Sequence, residues 1–296
     1  MCKKKNITII IVLGLLLALT VVGSIWDYEI ANSVYIGQTA SENFFGIMFA
    51  FIGIIPTFVG WSFLGASIVC LAKKRVEDVK KRRWLFALAG FLFLLAFFYF
   101  CNTLMMVNAN AFSVHWAIAY PIGIVILVGA AFLGYRLAER SDNPQLLKRA
   151  LLLTVVSLIT MVIIMSTKGI MDRPRFRFVL QNANAEYFRN WWQSGSALKS
   201  SLTLDAVSDE FSSFPSGHSA YAMFALFLFP ALADYIPKLE KHRFLLTIVG
   251  FIWWGLTAYS RMSVGAHYLT DVCIAGLVTI LAYAVTVWIR SRILKK

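Results

Sequence analysis

The sequence predicts an all-α, polytopic membrane helix bundle of about eight transmembrane helices, and three observations carry that prediction. Of its 296 residues, 59% are hydrophobic and only 15% are charged, where soluble domains carry about a quarter charged. The apolar residues are gathered into runs of about 20, the length a helix needs to cross a hydrocarbon core of ~30 Å. Alternation at period two is missing from these runs, which excludes a barrel.

The spans fall at 7–26, 45–72, 84–107, 117–135, 150–167, 218–236, 244–260 and 268–289. The first follows "MCKKKN", the kind of basic start that opens a secretory signal. Its apolar run is too long for a signal core and no small-x-small site ends it cleanly, so it is expected to stay as an uncleaved anchor. The second span ends at "KKRVEDVKKRR" (73–83), and the third and fourth flank the connection 108–116. A basic connection, 136–149, leads into the fifth span, and the 168–217 stretch forms a long loop before the sixth helix. Loops of that length are usually functional or mobile. "PKLEKHR" (237–243) joins the sixth and seventh spans, and "RSRILKK" closes the chain after the eighth.

Alternating the connections between the two sides puts 21 of the 28 Lys and Arg residues on one side, which the positive-inside rule makes cytoplasmic. Both termini are then cytoplasmic and the long loop is on the outer side. This charge distribution also explains the net charge of +13 without invoking nucleic acid. Cys70, Cys101 and Cys273 lie inside spans and Cys2 on the reducing side, so no disulfide framework is expected. With no internal repeat or low-complexity tract, the chain reads as one integral membrane domain over 1–296, with N-terminal helices in 1–149 and a second part in 150–296.

Seven basic residues remain outside: Lys168, Arg173, Arg175, Arg177, Arg189, Lys199 and Arg261. Four of them sit within "KGIMDRPRFR" (168–177), at the outer end of the fifth span, where the positive-inside rule disfavours them. One account is a surface patch against anionic lipid head groups. The other is an anion site, with Lys as a point charge and Arg as a planar fork for phosphate oxygens. Two further outer clusters favour the second. "PSGH" (215–218) opens the sixth span, bringing Ser216 and Gly217 to a helix N-terminus where free N–H groups attract anions. "SRMSVGAHYLTD" (260–271) adds Arg261, with His267 and Asp271 four residues apart on one helix face. That spacing lets a carboxylate orient an imidazole; by itself it is also compatible with a structural histidine or half a metal site. Asp271, about a turn inside the last span, is an ionisable group at membrane depth and hence a functional candidate.

Together these residues resemble the type 2 phosphatidic acid phosphatase superfamily. Its signature is Lys, six residues, Arg-Pro; then Pro-Ser-Gly-His; then Ser-Arg, five residues, His, three residues, Asp. Lys168 and Arg175 match the first part, with Phe176 in place of the proline and an extra Arg173-Pro174 pair just before. Pro215, Ser216, Gly217 and His218 complete the second part; Ser260, Arg261, His267 and Asp271 complete the third. Membrane members commonly have two helices before the first motif, whereas four are counted here, which leaves the role of the N-terminal spans open.

The resemblance implies a lipid phosphatase working through a phosphohistidine. His267 is the implied nucleophile, Asp271 orients it, and His218 protonates the leaving oxygen and then activates water. Lys168, Arg175, Arg261, the Ser216 hydroxyl and the Gly217 N–H bind the phosphate, and Arg173 is a candidate supporting residue. No metal or other cofactor is expected. The implied substrate is a lipid phosphate or pyrophosphate at the outer face of a bacterial plasma membrane. Undecaprenyl pyrophosphate leads, with phosphatidic acid and phosphatidylglycerol phosphate next. A lipid-phosphate phosphotransferase and a phospholipid-binding transporter are the rival classes. Trp191-Trp192 is expected to anchor the long loop at the interface or to close over the lipid entrance.

Overall fold

The structure, a computed structural model, describes residues 2–107, 116–202 and 209–293. The side chains of Cys2, Lys3, Lys4 and Lys5, most of the 108–116 connection and the last three residues of the basic tail lie outside the described residues. Among the described residues the chain is helical, without strands. Its long helices are α1 (Cys2–Val34), α3 (Ile55–Arg75), α4 (Val79–Val107), α5 (Trp116–Arg140), α6 (Leu146–Met171), α11 (Arg243–Ser263) and α12 (Leu269–Ile293). Short helices α2 (Phe44–Ile52), α7 (Phe176–Gln181), α8 (Ser196–Ser201), α9 (Gly217–Met223) and α10 (Ala225–Ala231) complete it.

Among the described residues, six stretches are long and apolar enough to cross a membrane: Thr8–Val34, Phe44–Arg75, Val79–Thr103, Tyr120–Arg140, Leu146–Gln181 and Leu269–Arg292. The expected spans 218–236 and 244–260 are not among them. The first is divided into α9 and α10, which meet at Phe224 in a tightened turn, with Pro230 inside α10. The second, within α11, is diluted by Thr257, Ser260 and Arg261. The 45–72 span is also two pieces, because Pro56 sits in the first turn of α3 and restarts the helix after Gly53 and Ile54. The first helix is longer than expected: it kinks at Trp26 and continues to Val34, so residues 27–34 are helix rather than connection.

The bundle has two chemically distinct ends. At one, Lys74 of α3 donates to the Glu139 carbonyl at 2.6 Å, and Arg75 to the carbonyls of Asn143 and Ser141 at 2.6 and 3.1 Å. Asp234, just after α10, is held there by Arg149 of α6 and by Arg243 of α11, the latter at 2.7 Å. At the other end, the C-termini of α6 and α11 meet the N-termini of α9 and α12 and the second segment of α1. Between the ends lies an aromatic core in which Trp61 is fully buried and donates to Ser157 at 2.9 Å. The outward faces are apolar: Ile10, Ile11, Val21 and Ile25 of α1 are each more than 60% exposed. Such a surface is stable only against lipid or another apolar partner.

Close backbone approach fixes one contact of the inner layer. A Cβ on Gly250 of α11 would lie 2.5 Å from the Ala225 carbonyl oxygen and 2.8 Å from Leu226 Cα. No rotamer change relieves a clash with backbone, so α10 and α11 must separate for any larger residue. Gly250→Leu is therefore expected to cost at least about 1–3 kcal/mol, the usual scale of overpacking. The thermal midpoint of the purified protein in detergent checks this. Gly255→Leu on the same helix, with no neighbouring atom within 4 Å of its Cβ, stays near wild type.

Candidate active site

Three chain segments are stitched together by backbone hydrogen bonds at the polar end of the bundle. Helix α6 stops at Asp172, which adopts the left-handed conformation (φ 43°) before Pro174 prevents further helix. The Asp172 carboxylate accepts from Lys199 at 2.7 Å and from Ser196 at 3.0 Å, rather than pairing with Arg173 or Arg177. Beyond it, the Ser213 N–H donates to the Arg173 carbonyl at 3.0 Å, and the Ser216 N–H to the Asp271 carbonyl at 3.1 Å. Ser216 then caps α9, its Oγ accepting from the Ser219 N–H at 3.3 Å. The turn between α11 and α12 passes through Gly265 at φ 67°, a conformation glycine adopts without strain. Its carbonyl accepts from the Arg177 N–H at 2.9 Å, and a Cβ there would meet Arg177 and Tyr35 at about 3 Å.

His267 is buried in this frame. Its Nδ1 lies 2.6 Å from the Ser213 carbonyl, and because a carbonyl only accepts, Nδ1 carries the proton and Nε2 the lone pair. The spacing argument gave that hydrogen bond to Asp271; the Asp271 Oδ2 is instead 3.6 Å away and acts on the ring through its charge. Ser213 links the two residues, since its Oγ donates to Asp271 Oδ2 at 2.5 Å. Burial, opposed by Asp271 and aided by the cations of Lys168 and Arg175, pushes the His267 imidazole down to about 3. The ring is thus neutral across the physiological range.

Lys168, Arg175 and His218 act on His267 electrostatically, and Arg261 acts on His218. Lys168 donates to the Ser212 carbonyl, and its stem runs beside Gly217, whose Cβ position is 3.8 Å from Lys168 Cε. His218 is partly exposed and lies in the electrostatic field of Arg261, His267, Lys168 and Arg175. Arg175 donates to the Asp209 carbonyl at 2.8 Å and to its carboxylate at 2.7 Å. Arg177 pairs with Glu210 at 2.5 Å. Arg261 is 7% exposed, and its buried Nε has no hydrogen-bond partner. A buried guanidinium donor left open in this way is ready for an anionic acceptor. Among the described residues, no three His, Cys, Asp or Glu side chains gather as metal ligands.

Residues 148–295, half of the chain, match the PAP2 superfamily, and they contain every one of these groups. The chain belongs to the PAP2 superfamily. Its members are phosphatases, and with six helices among the described residues long and apolar enough to cross a membrane, this chain is a membrane phosphatase. Neither the curated proteins nor the solved structures contain a match to it.

The PAP2 match begins at residue 148, yet the site does not. Arg173, fully buried, donates from Nη1 to Asp271 Oδ1 at 2.5 Å and from Nη2 to Asp27 Oδ2 of α1 at 2.8 Å. Its Nε donates to the Arg189 carbonyl at 2.7 Å, and its guanidinium lies 4.1 Å over the Tyr268 ring. Phe176, at the proline position of the family pattern, is buried against the rings of Tyr28, Tyr35 and Tyr268. Trp191 is not free at the surface: it donates to Ser24 of α1 at 2.9 Å and stacks on Phe214, while its neighbour Trp192 is exposed.

Asp27, Ser213 and Asp209 were not expected from the sequence. Asp27 could have been found as an acid at the end of an apolar run, the criterion that singled out Asp271. Ser213 and Asp209 act through positions that only the folded loop defines. Replacing Arg173 by Leu leaves Asp27 and Asp271 buried without their shared cation. Arg173→Leu is expected to lose about 3–5 kcal/mol of stability. Thermal unfolding of the purified protein in detergent measures this loss.

Proposed function

We propose that the protein hydrolyses a phosphate or pyrophosphate group from a membrane lipid through a phosphohistidine on His267. The observation that carries this reading is a neutral, buried imidazole whose Nε2 is unengaged by its Nδ1 partner, set among Lys168, Arg175 and Arg261. Nε2 attacks phosphorus, forming the N–P bond as the bond to the lipid-side oxygen breaks. His218 gives that oxygen its proton. In the second half His218 takes a proton from water, the hydroxide attacks phosphorus, and the N–P bond breaks to release phosphate and regenerate neutral His267.

Lys168, Arg175 and Arg261 neutralise the charge that develops on the phosphoryl oxygens, with the Ser216 hydroxyl and Gly217 N–H as further donors. Three cations supply this stabilisation without a metal ion in the scheme. Phosphoryl oxygens compete with acceptors these side chains already hold, the Asp209 carboxylate on Arg175 and the Ser212 carbonyl on Lys168.

The lipid class follows from position. The site is at one end of an apolar-sided bundle, so a head group can reach it while its chain stays among lipid tails. The basic end, with Lys74, Arg75, Arg149 and Arg243, is the cytoplasmic one in this reading, and α9–α10 and α11 bring the crossings to eight. The site then opens on the outer face of a plasma membrane, as in a bacterium, and undecaprenyl pyrophosphate is the leading substrate.

Phosphate release by the purified protein in EDTA, from undecaprenyl pyrophosphate, phosphatidic acid and phosphatidylglycerol phosphate, tests this and ranks the substrates. Wild type is expected to release phosphate without an added acceptor and His267→Ala to release almost none. Arg261→Ala should lose about 10²–10³ in kcat. Activity that requires Mg²⁺ would overturn the metal-free scheme, and turnover only with an alcohol acceptor would make the protein a transferase.

A further inference from the structure

The site is completed by a helix outside the family match. We infer that Asp27 of α1 is a positioning residue for the phosphatase reaction, fixing Arg173 and setting the charge that His267 meets when it becomes phosphorylated. This inference rests on the proposed phosphohistidine mechanism.

The geometry is specific. Asp27 is 3% exposed, and three donors point at its carboxylate: Arg173 Nη2 at 2.8 Å, the Thr270 N–H at 3.0 Å, and the Thr270 hydroxyl. The guanidinium among those donors makes the Asp27 carboxylate the second negative partner of Arg173. Thr270 is the residue before Asp271, and its hydroxyl also accepts from Arg173 Nη1 at 2.9 Å. Asp27 therefore grips both the cation that binds Asp271 and the backbone that carries it. Gly23, one helical turn earlier on α1, makes the approach possible, since a Cβ there would lie 2.9 Å from Thr270 Cγ2.

Counting charges shows what this grip does. Arg173 contributes one positive charge, while Asp27 and Asp271 contribute one negative charge each. The buried trio therefore carries one net negative charge beside His267. When neutral His267, already protonated at Nδ1, forms its bond to phosphorus through Nε2, the ring becomes cationic. In a dry interior that charge needs a counter-charge close by. Without Asp27 the guanidinium would be neutralised by Asp271 alone, and the trio would offer the cationic ring no net charge. The effect falls on the chemical step and not on lipid binding, because Asp27 faces Arg173 and Thr270 rather than the phosphate cations.

The test compares Asp27→Asn, which keeps the shape and loses the charge, with Asp27→Glu, which keeps the charge. Glu29→Gln, an exposed position on the same helix, is the control for charge loss on α1. Phosphate release is measured from undecaprenyl pyrophosphate in detergent, with phosphatidic acid in parallel, on protein shown to be monodisperse. Asp27→Asn is expected to lower kcat by about ten- to a hundred-fold, the scale seen for outer partners of metal-bound histidines, with KM within about twofold. Asp27→Glu should recover a large part of that loss, and Glu29→Gln should match wild type. Wild-type kcat in Asp27→Asn, or a loss expressed in KM alone, would overturn the inference while leaving the phosphatase reading intact. Should Asp27→Asn fail to fold, Gly23→Val decides, because it forces α1 away from Thr270: a lowered kcat at unchanged KM supports the inference and an unchanged kcat overturns it. No release by wild type from either lipid would overturn the phosphatase reading and this inference with it.

Discussion

A single guanidinium, that of Arg173, sits fully buried between two carboxylates, and the site end of the bundle is arranged around it. Burying a charge at membrane depth is costly unless it is paired and fully hydrogen-bonded. Its partners come from positions 146 residues before it and 98 residues after it. Satisfying that one side chain therefore requires α1, the loop after α6 and the start of α12 to arrive at one place. Buried ion pairs are modest contributors to stability, but they discriminate strongly against arrangements that leave a charge alone. Here the requirement fixes where Asp271 points and, through Ser213, how the His267 ring is held.

Ser213 shows how closely orientation and charge are combined. Its carbonyl sets the tautomer of His267, and its hydroxyl occupies one oxygen of Asp271. The carboxylate is thereby kept beside the ring without taking the proton on Nδ1. His267 is thus a neutral imidazole with a fixed hydrogen and a counter-charge 3.6 Å away. Of the nearby cations, Lys168 is held by the Ser212 carbonyl and Arg175 by Asp209, while Arg261 keeps an open buried donor. A buried guanidinium donor left open beside a supported imidazole suits an anionic acceptor.

The rest of the bundle separates functions by depth. Basic side chains cap helix ends at one face, aromatic packing fills the middle, apolar residues cover the sides, and the polar cluster occupies the other face. The loop between α7 and α9 is tied back to α1 by Trp191, and the first helix also meets this end of the bundle through Asp27 and Tyr28, with Tyr35 just beyond it. The N-terminal part is not a separate appendage to a catalytic half.

Much of this was legible in the residue order. Apolar runs near twenty residues determined a helical membrane protein, because a chain in lipid must satisfy its backbone internally. Spacing alone brought Lys168, Arg175, His218, Arg261, His267 and Asp271 into one hypothesis, since each motif lies at the end of a span and spans return to the same two faces. What spacing could not give was partnership across the bundle. His267 and Asp271 are four apart, which makes a contact available, but only the folded loop put the Ser213 carbonyl nearer to Nδ1. Asp27 stood in a stretch that looked like a connection, and only the continuation of α1 past its kink carried it to Arg173. Local sequence determined which groups exist and at which face; the long-range packing of buried charges, which no local window contains, decided which of them pair.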